Sequence, residues 1–158
     1  MRKCCVCWYE PVRVRPVRRR CCRNEIEGLS LQMVRSEEEN LPTGCPIIFD
    51  EILMKNSRDI CCHEHEGVIE IRKCGSYMID WDVMIAESEE DCVSFALEID
   101  GQVQTRSTLP TKAGQLVGRA LIQAEQIPTC IRLINDTGCD VKLSRFSPIA
   151  NLRIVTVD

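Results

Sequence analysis

Twelve cysteines in 158 residues are the first side chains from which chemistry is expected. Five lie near the N-terminus (Cys4, Cys5, Cys7, Cys21, Cys22) and seven follow (Cys45, Cys61, Cys62, Cys74, Cys92, Cys130, Cys139). Such density points to disulfides or metal sites. Cys4, Cys7 and the Cys21–Cys22 pair could offer zinc four thiolates. Adjacent cysteines chelate poorly, however, and suit bonds to two different partners, which favours intermolecular disulfides from this group. Cys61-Cys62-His63-Glu64-His65 is the one other cluster resembling a metal site. Strand alternation would align Cys61, His63 and His65 as three ligands. Gly67 puts the segment in or beside a loop, where a disulfide from Cys61 or Cys62, or a plain polar loop, are competing readings.

Asp80 and Asp82 share a strand face and could pass for a carboxylate pair. They stand about 7 Å apart, with no nucleophile or general base in a recognisable motif. GxSxG, Walker and dinucleotide-binding patterns are absent. The expectation is a non-enzyme with no cofactor.

Charge is divided unevenly. Residues 1–23 carry Arg2, Lys3, Arg13, Arg15, Arg18, Arg19, Arg20 and Arg23 against Glu10 alone, a net +7 that leaves −11 elsewhere in a chain of net charge −4. A basic arm on an acidic body can bind nucleic acid, a membrane, or another copy's acidic body. The acidic body and the lack of a recognised motif argue against nucleic acid. Glu87-Ser-Glu-Glu-Asp91 reads as a solvated hairpin loop and a dock for a neighbour's arginines. Within the arm, Val12-Arg-Val-Arg-Pro-Val-Arg-Arg-Arg20 alternates valine and arginine around Pro11 and Pro16. The prolines exclude a helix and favour extended geometry. Such a segment is either a solvated tail or a strand added to a sheet edge, its own or a neighbour's.

The N-terminus lacks the roughly 7–15-residue apolar stretch of a secretory signal, and no run approaches the roughly 18 apolar residues of a membrane span. Synthesis in the cytoplasm without a signal peptide is expected, with no membrane partner and with any disulfides formed later.

The elements that position these groups read as strands. Tyr77, Ile79, Trp81, Val83 and Ile85 alternate with Met78, Asp80, Asp82 and Met84, giving one dry and one wetter side. Val93, Phe95, Leu97 and Ile99 alternate before an Asp100-Gly101 hairpin turn. Ile69 and Ile71, Ile131 and Leu133, and Ala150, Leu152 and Ile154 repeat the pattern. Leu29, Leu31 and Met33 with Ile47, Ile48 and Phe49 supply opening strands. Leu116–Glu125 suits a helix or a strand, Ser36–Gly44 a long loop, and Asn135–Gly138 a polar loop. The expected core includes Tyr77, Ile79, Trp81, Val83, Phe95, Leu97, Leu133, Leu152 and Ile154. Some eight to ten short strands indicate a sandwich or jelly roll.

The order IIFDEIL, GVIEIRKCGSYMIDWDV, VSFALEIDGQ, GRALIQ, CIRLINDTG and ANLRIVTV resembles the trimeric C-terminal domain of Bacillus collagen-like exosporium glycoproteins. That domain is of the tumour-necrosis-factor and complement-type jelly-roll superfamily. The resemblance covers about residues 28–158 and is most specific at Gly75, Tyr77, Trp81, Phe95, Leu97, Asp100, Gly101, Leu133, Asn135 and Ala150-x-Leu-x-Ile. It implies an all-β, two-sheet jelly roll at 28–158, with the extended Cys/Arg-rich arm at 1–27 standing where the family has a collagen-like stalk. It further implies a homotrimer, display on a spore surface (coat or exosporium) among other spore-surface proteins, and no catalytic residues. The arm and the charged, cysteine-rich body favour a cross-linked coat lattice or fibre. The competing function is a binding module that recognises carbohydrate or a receptor with its loops, although two Trp and two Tyr give few rings for stacking.

Overall fold

The computed structural model describes residues 26–35, 40–63 and 65–157. They form strands alone: β1 (Gly28–Met33), β2 (Asn40–Leu41), β3 (Glu51–Lys55), β4 (Ile60–His63), β5 (Val68–Ile71), β6 (Gly75–Ser88), β7 (Val93–Ile99), β8 (Gln102–Leu109), β9 (Gly114–Ala124), β10 (Thr129–Asn135), β11 (Val141–Leu143) and β12 (Ala150–Val157). Two antiparallel sheets result, one of seven strands and one of five.

β6 is the spine of the larger sheet. Its fourteen residues alternate strictly from Ser76 to Met84 and contain no internal glycine or proline to break the ladder. One edge pairs with β9 from Gly75↔Ala124 to Ile85↔Gly114. The other pairs first with β12, from Ser76↔Val157 to Val83↔Ala150, and then with β11. β1 joins β12, and β3 joins β1. The smaller sheet runs β4-β5-β10-β7-β8. Its β7–β8 hairpin turns on Asp100 and Gly101, both with positive φ (49° and 80°), the backbone a tight two-residue hairpin demands. The Asp100 carboxylate also accepts the Cys130 N–H at 2.8 Å, tying the turn to β10.

The sheets close on one core. Tyr77, Ile79, Trp81 and Val83 of β6 are buried, as are Phe95 and Leu97 of β7, Leu133 of β10, and Leu152 and Ile154 of β12. Each such aliphatic or aromatic side chain contributes about 1.5–3 kcal/mol on leaving water. Asn135 and Thr137 are buried too, so this stretch is more than a polar loop. The Asn135 amide donates to the Leu41 and Cys139 carbonyls (2.9 and 3.0 Å) and accepts the Thr137 N–H. The Thr137 hydroxyl accepts from Ser94 N–H and donates to Ser94 C=O. A buried network with every member satisfied holds its loops rigidly.

Three expectations need adjustment. Leu116–Glu125 supplies a strand, β9, ending at Ala124. The segment after Met33 contains the two-residue β2. Ile47–Phe49 does not form a strand, although Ile47 and Phe49 are buried. Pro46 offers no N–H to a ladder, and Gly67 crosses so closely that a Cβ there would lie 2.7 Å from the Ile47 oxygen. The strand forms instead at Glu51–Lys55.

At Gly118 the backbone of β9 passes over the core with no room for a side chain. A Cβ would stand 2.1 Å from Trp81 Cε2 and 2.2 Å from Ser107 Oγ. The indole is walled in and cannot retreat. Gly118→Ala is therefore expected to lower stability by about 3 kcal/mol, the upper end for overpacked sites. Urea denaturation followed by Trp fluorescence measures it, and an unchanged midpoint would contradict this packing.

Candidate self-association interface

Because inward positions of β9, β6 and β12 are apolar, period-2 alternation places the intervening residues together on the outer face of the larger sheet. Register sets them in rows. Leu121, Met78 and Val155 form an apolar row, and Arg119, Asp80 and Arg153 a charged one. Val117, Asp82, Asn151 and Gln32 form a third. Arg119 Nε donates to Asp80. Asn151 Nδ2 donates to Asp82 at 2.9 Å, and Gln32 Nε2 to Asn151 at 2.8 Å. Each carboxylate of the sequence-level pair therefore has its own partner, as structural groups do.

This ordered face is also unusually bare of cover. Leu121 is 72% exposed and Val117 67% exposed. Val157, at the end of β12, is exposed as well. Large aliphatics placed beside carboxylates satisfied within the chain can be covered by another surface without stranding Asp80 or Asp82, while Arg153, which has no ion pair among the described residues, would need an acceptor from the covering surface. Sequence reading found Asp80 and Asp82 on this face but did not identify Val117 and Leu121, because a helix would have placed them differently.

The outer face of the smaller sheet differs: it is laced by ion pairs. Glu70 accepts from Arg72 and from the ring of His63, and these hydrogen bonds hold its carboxyl below the usual range. Arg132 pairs with Glu98 and Arg106 with Asp136. On the acidic loop, Lys112 reaches the Glu89 carbonyl and the Asp91 carboxylate, so this loop has a cation from its own chain.

The proposed metal ligands are not assembled. His63 engages Glu70, while the Cys61 thiol points to the Arg58 carbonyl at 3.9 Å. His65 sits in a left-handed turn (φ 68°) and lines a separate cleft with Ile48, Asp50 and Leu143. The turn separates it from the β4 pair. Among the described residues, no group of three or more His, Cys, Asp or Glu is arranged to hold a metal ion.

The body cysteines are scattered over the surface. Cys45, Cys61, Cys74, Cys92, Cys130 and Cys139 are free thiols, and Cys62 packs against the core. Cys61 and Cys130 both align with Glu70 from opposite sides. Two strand spacings separate them by about 9.6 Å, too far for a disulfide. Cys4, Cys5, Cys7, Cys21 and Cys22 lie outside the described residues.

Against known proteins, no protein-family model matches the chain and no curated protein matches it. Solved structures do. The Eiger TNF of S. frugiperda superposes with TM-score 0.68 at 12% identity, over 84% of this chain and 93% of that one. The globular domain of zebrafish complement 1qA gives 0.58 at 12% identity, over 83% and 95%. The vertex protein P5 of PRD1 gives 0.60 at 14% identity, over 84% and 98%. The fold is the jelly roll of TNF- and C1q-type domains. In that jelly roll the β9-β6-β12 face described above is the outer surface of the larger sheet.

Thiol reactivity tests the surface assignment. Cys74 and Cys92 are exposed, whereas burial, then the charges of Asp100 and Glu70, push the Cys130 thiol up from its ordinary value. Less thiolate means slower alkylation. With iodoacetamide near neutral pH, mass spectrometry is expected to find Cys74 and Cys92 labelled well before Cys130, with the lag shrinking as pH rises. Early labelling of Cys130 would contradict the arrangement.

Proposed function

We propose that this chain is a non-catalytic structural protein that joins copies of itself into a homotrimer through the outer face of the larger sheet. The observation that carries the reading is the pairing of highly exposed Val117 and Leu121 with two carboxylates, Asp80 and Asp82, already satisfied within one chain. Covering them removes apolar area worth about 25 cal/mol per Å², against the cost of association. The jelly-roll architecture and the sequence resemblance to a trimeric domain support the stoichiometry. The same resemblance supports residence on a spore surface. The arm cysteines then cross-link neighbouring subunits into a coat or fibre, formed by oxidation after synthesis.

Sedimentation velocity of the reduced protein is expected to give three times the chain mass. Leu121→Glu with Val117→Glu should shift it to one chain mass, with an unchanged melting profile for the body. A monomeric wild type would overturn the noncovalent part. Oxidised assemblies should run as ladders on non-reducing gels and collapse to one band with reductant; a single band under both conditions would overturn the cross-linking part.

A second reading, recognition of a ligand by the loops, is favoured by Phe146, which is 85% exposed between β11 and β12. A glycan array and a receptor-ectodomain panel address it, with Phe146→Ala as the control. Specific binding abolished by that substitution would place recognition ahead of assembly.

A further inference from the structure

The larger sheet ends on β9 along one side and on β3 and the two-residue β2 along the other, and these edges are treated differently. β9 lies against β8 of the other sheet. β3 pairs with β1 on one side and with no other described strand, and all five of its residues are exposed. Free edges in soluble proteins are ordinarily blunted by charge, proline or cover. Here the middle of the edge is apolar: Ile52, Leu53 and Met54 are 48%, 56% and 42% exposed, with exposed Ile48 nearby. Such an edge is built to be covered.

We propose that the free edge of β3 is the docking strand for residues 12–17 of the N-terminal arm, which adds there as a further β-strand. Three features select this occupant. The first is pattern. Pairing puts Ile52 beside inward Leu31, and Glu51 beside outward Gln32. Alternation in Val12-Arg13-Val14-Arg15 then lets a valine extend the apolar side past Ile52 while an adjacent arginine meets Glu51, up to the bulge that shifts the β1–β3 register between Ser30 and Leu31. The second is charge, since the arm is basic and the body acidic. The third is reach. Residue 26 enters beside the far end of β3, where Asn56 bonds the Ile26 carbonyl and Gly28. Residues 18–25 can span roughly 27 Å, more than the roughly 17 Å length of a five-residue strand. The chain's own β3 is within range.

Pro16 fits this assignment. A proline cannot donate to a ladder and is tolerated where its missing N–H faces solvent. The added strand would present it on the new outer edge, stopping further strand addition. This deepens the assembly reading by naming where the arm fastens, and it stands apart from the sheet-face contact.

The test uses the full chain. With Arg18→p-benzoylphenylalanine, illumination and peptide mapping are expected to give cross-links to residues 48–56, within a chain or between chains. Cross-links confined to the Glu87–Asp91 loop or to the Val117–Leu121 face would overturn the proposal. Hydrogen exchange supplies an independent readout. The β3 amides not bonded to β1 should exchange at least ten-fold faster in Val12→Asp/Val14→Asp than in the wild type, while core amides and the sedimentation coefficient stay unchanged. Equal exchange in both proteins overturns arm docking. A wild type that sediments as one chain mass while its β3 amides still exchange more slowly than those of Val12→Asp/Val14→Asp instead defeats the sheet-face reading alone.

Discussion

Trp81 can occupy the centre of the core only because β9 crosses it as bare backbone at Gly118. The largest side chain of the core and its smallest residue therefore meet across one rung of the β6–β9 ladder, Trp81↔Gly118. Ser107 of β8 closes on the same spot, so the rung also fixes how the two sheets approach along this side. A packed interior has little compressibility with which to absorb an added methyl group. Everything outward on β9 inherits its position from this contact. Once Gly118 faces the indole, period 2 sends Val117 and Leu121 to solvent.

The outer face follows from the same alternation, but its chemistry does not reduce to exposed hydrophobicity. Asp80 and Asp82 would be costly to cover if unpaired. Arg119 and Asn151 take them within the chain, and Gln32 extends the hydrogen bonds to β1. Covering the face then asks of a partner shape, apolar contact and an acceptor for Arg153, which lies in the same row as Asp80 and Arg119. The smaller sheet arranges its outer charges as separate ion pairs around Glu70, Glu98 and Asp136, and exposed pairs of this kind contribute little to stability. Their effect is to keep that side wet.

Long alternating strands were the legible part of the sequence. Tyr77 to Ile85 and Val93 to Ile99 declare both element and inward face, and Asp100-Gly101 declares its turn. The fold class followed from these. β9 was ambiguous because its inward positions, Leu116, Gly118, Ala120, Ile122 and Ala124, mix small and helix-favouring types chosen to fit beneath Trp81 rather than to suit a strand. Ile47–Phe49 misled because the chain there meets β10 only through the Pro46↔Ile134 bridge and the Ile47 N–H bond to the Leu133 carbonyl, so it is buried without a continued ladder, and composition does not distinguish the two. His65 looked aligned with Cys61 and His63 only while the strand was assumed to continue; a left-handed turn ends it. Asn135 and Thr137 looked like loop polarity. Their hydrogen bonds join residues up to 94 positions apart, and no local pattern announces such a partner.

Face and edge impose different logics on assembly. A sheet face that meets a neighbour by rotation closes into a ring of fixed number, since each copy's surface is consumed when the ring completes. A strand added at an edge has no such limit: a copy can give its arm to one neighbour and receive another's, and the chain of contacts grows until something blocks the last edge. A molecule carrying only the face would stop at a particle, and one carrying only the edge would risk uncontrolled sheet growth. On the proposed docking, proline inside the arm would resolve this conflict locally, because a strand lacking one N–H is a poor template for the next. Growth then proceeds through the number of arms rather than through stacked strands.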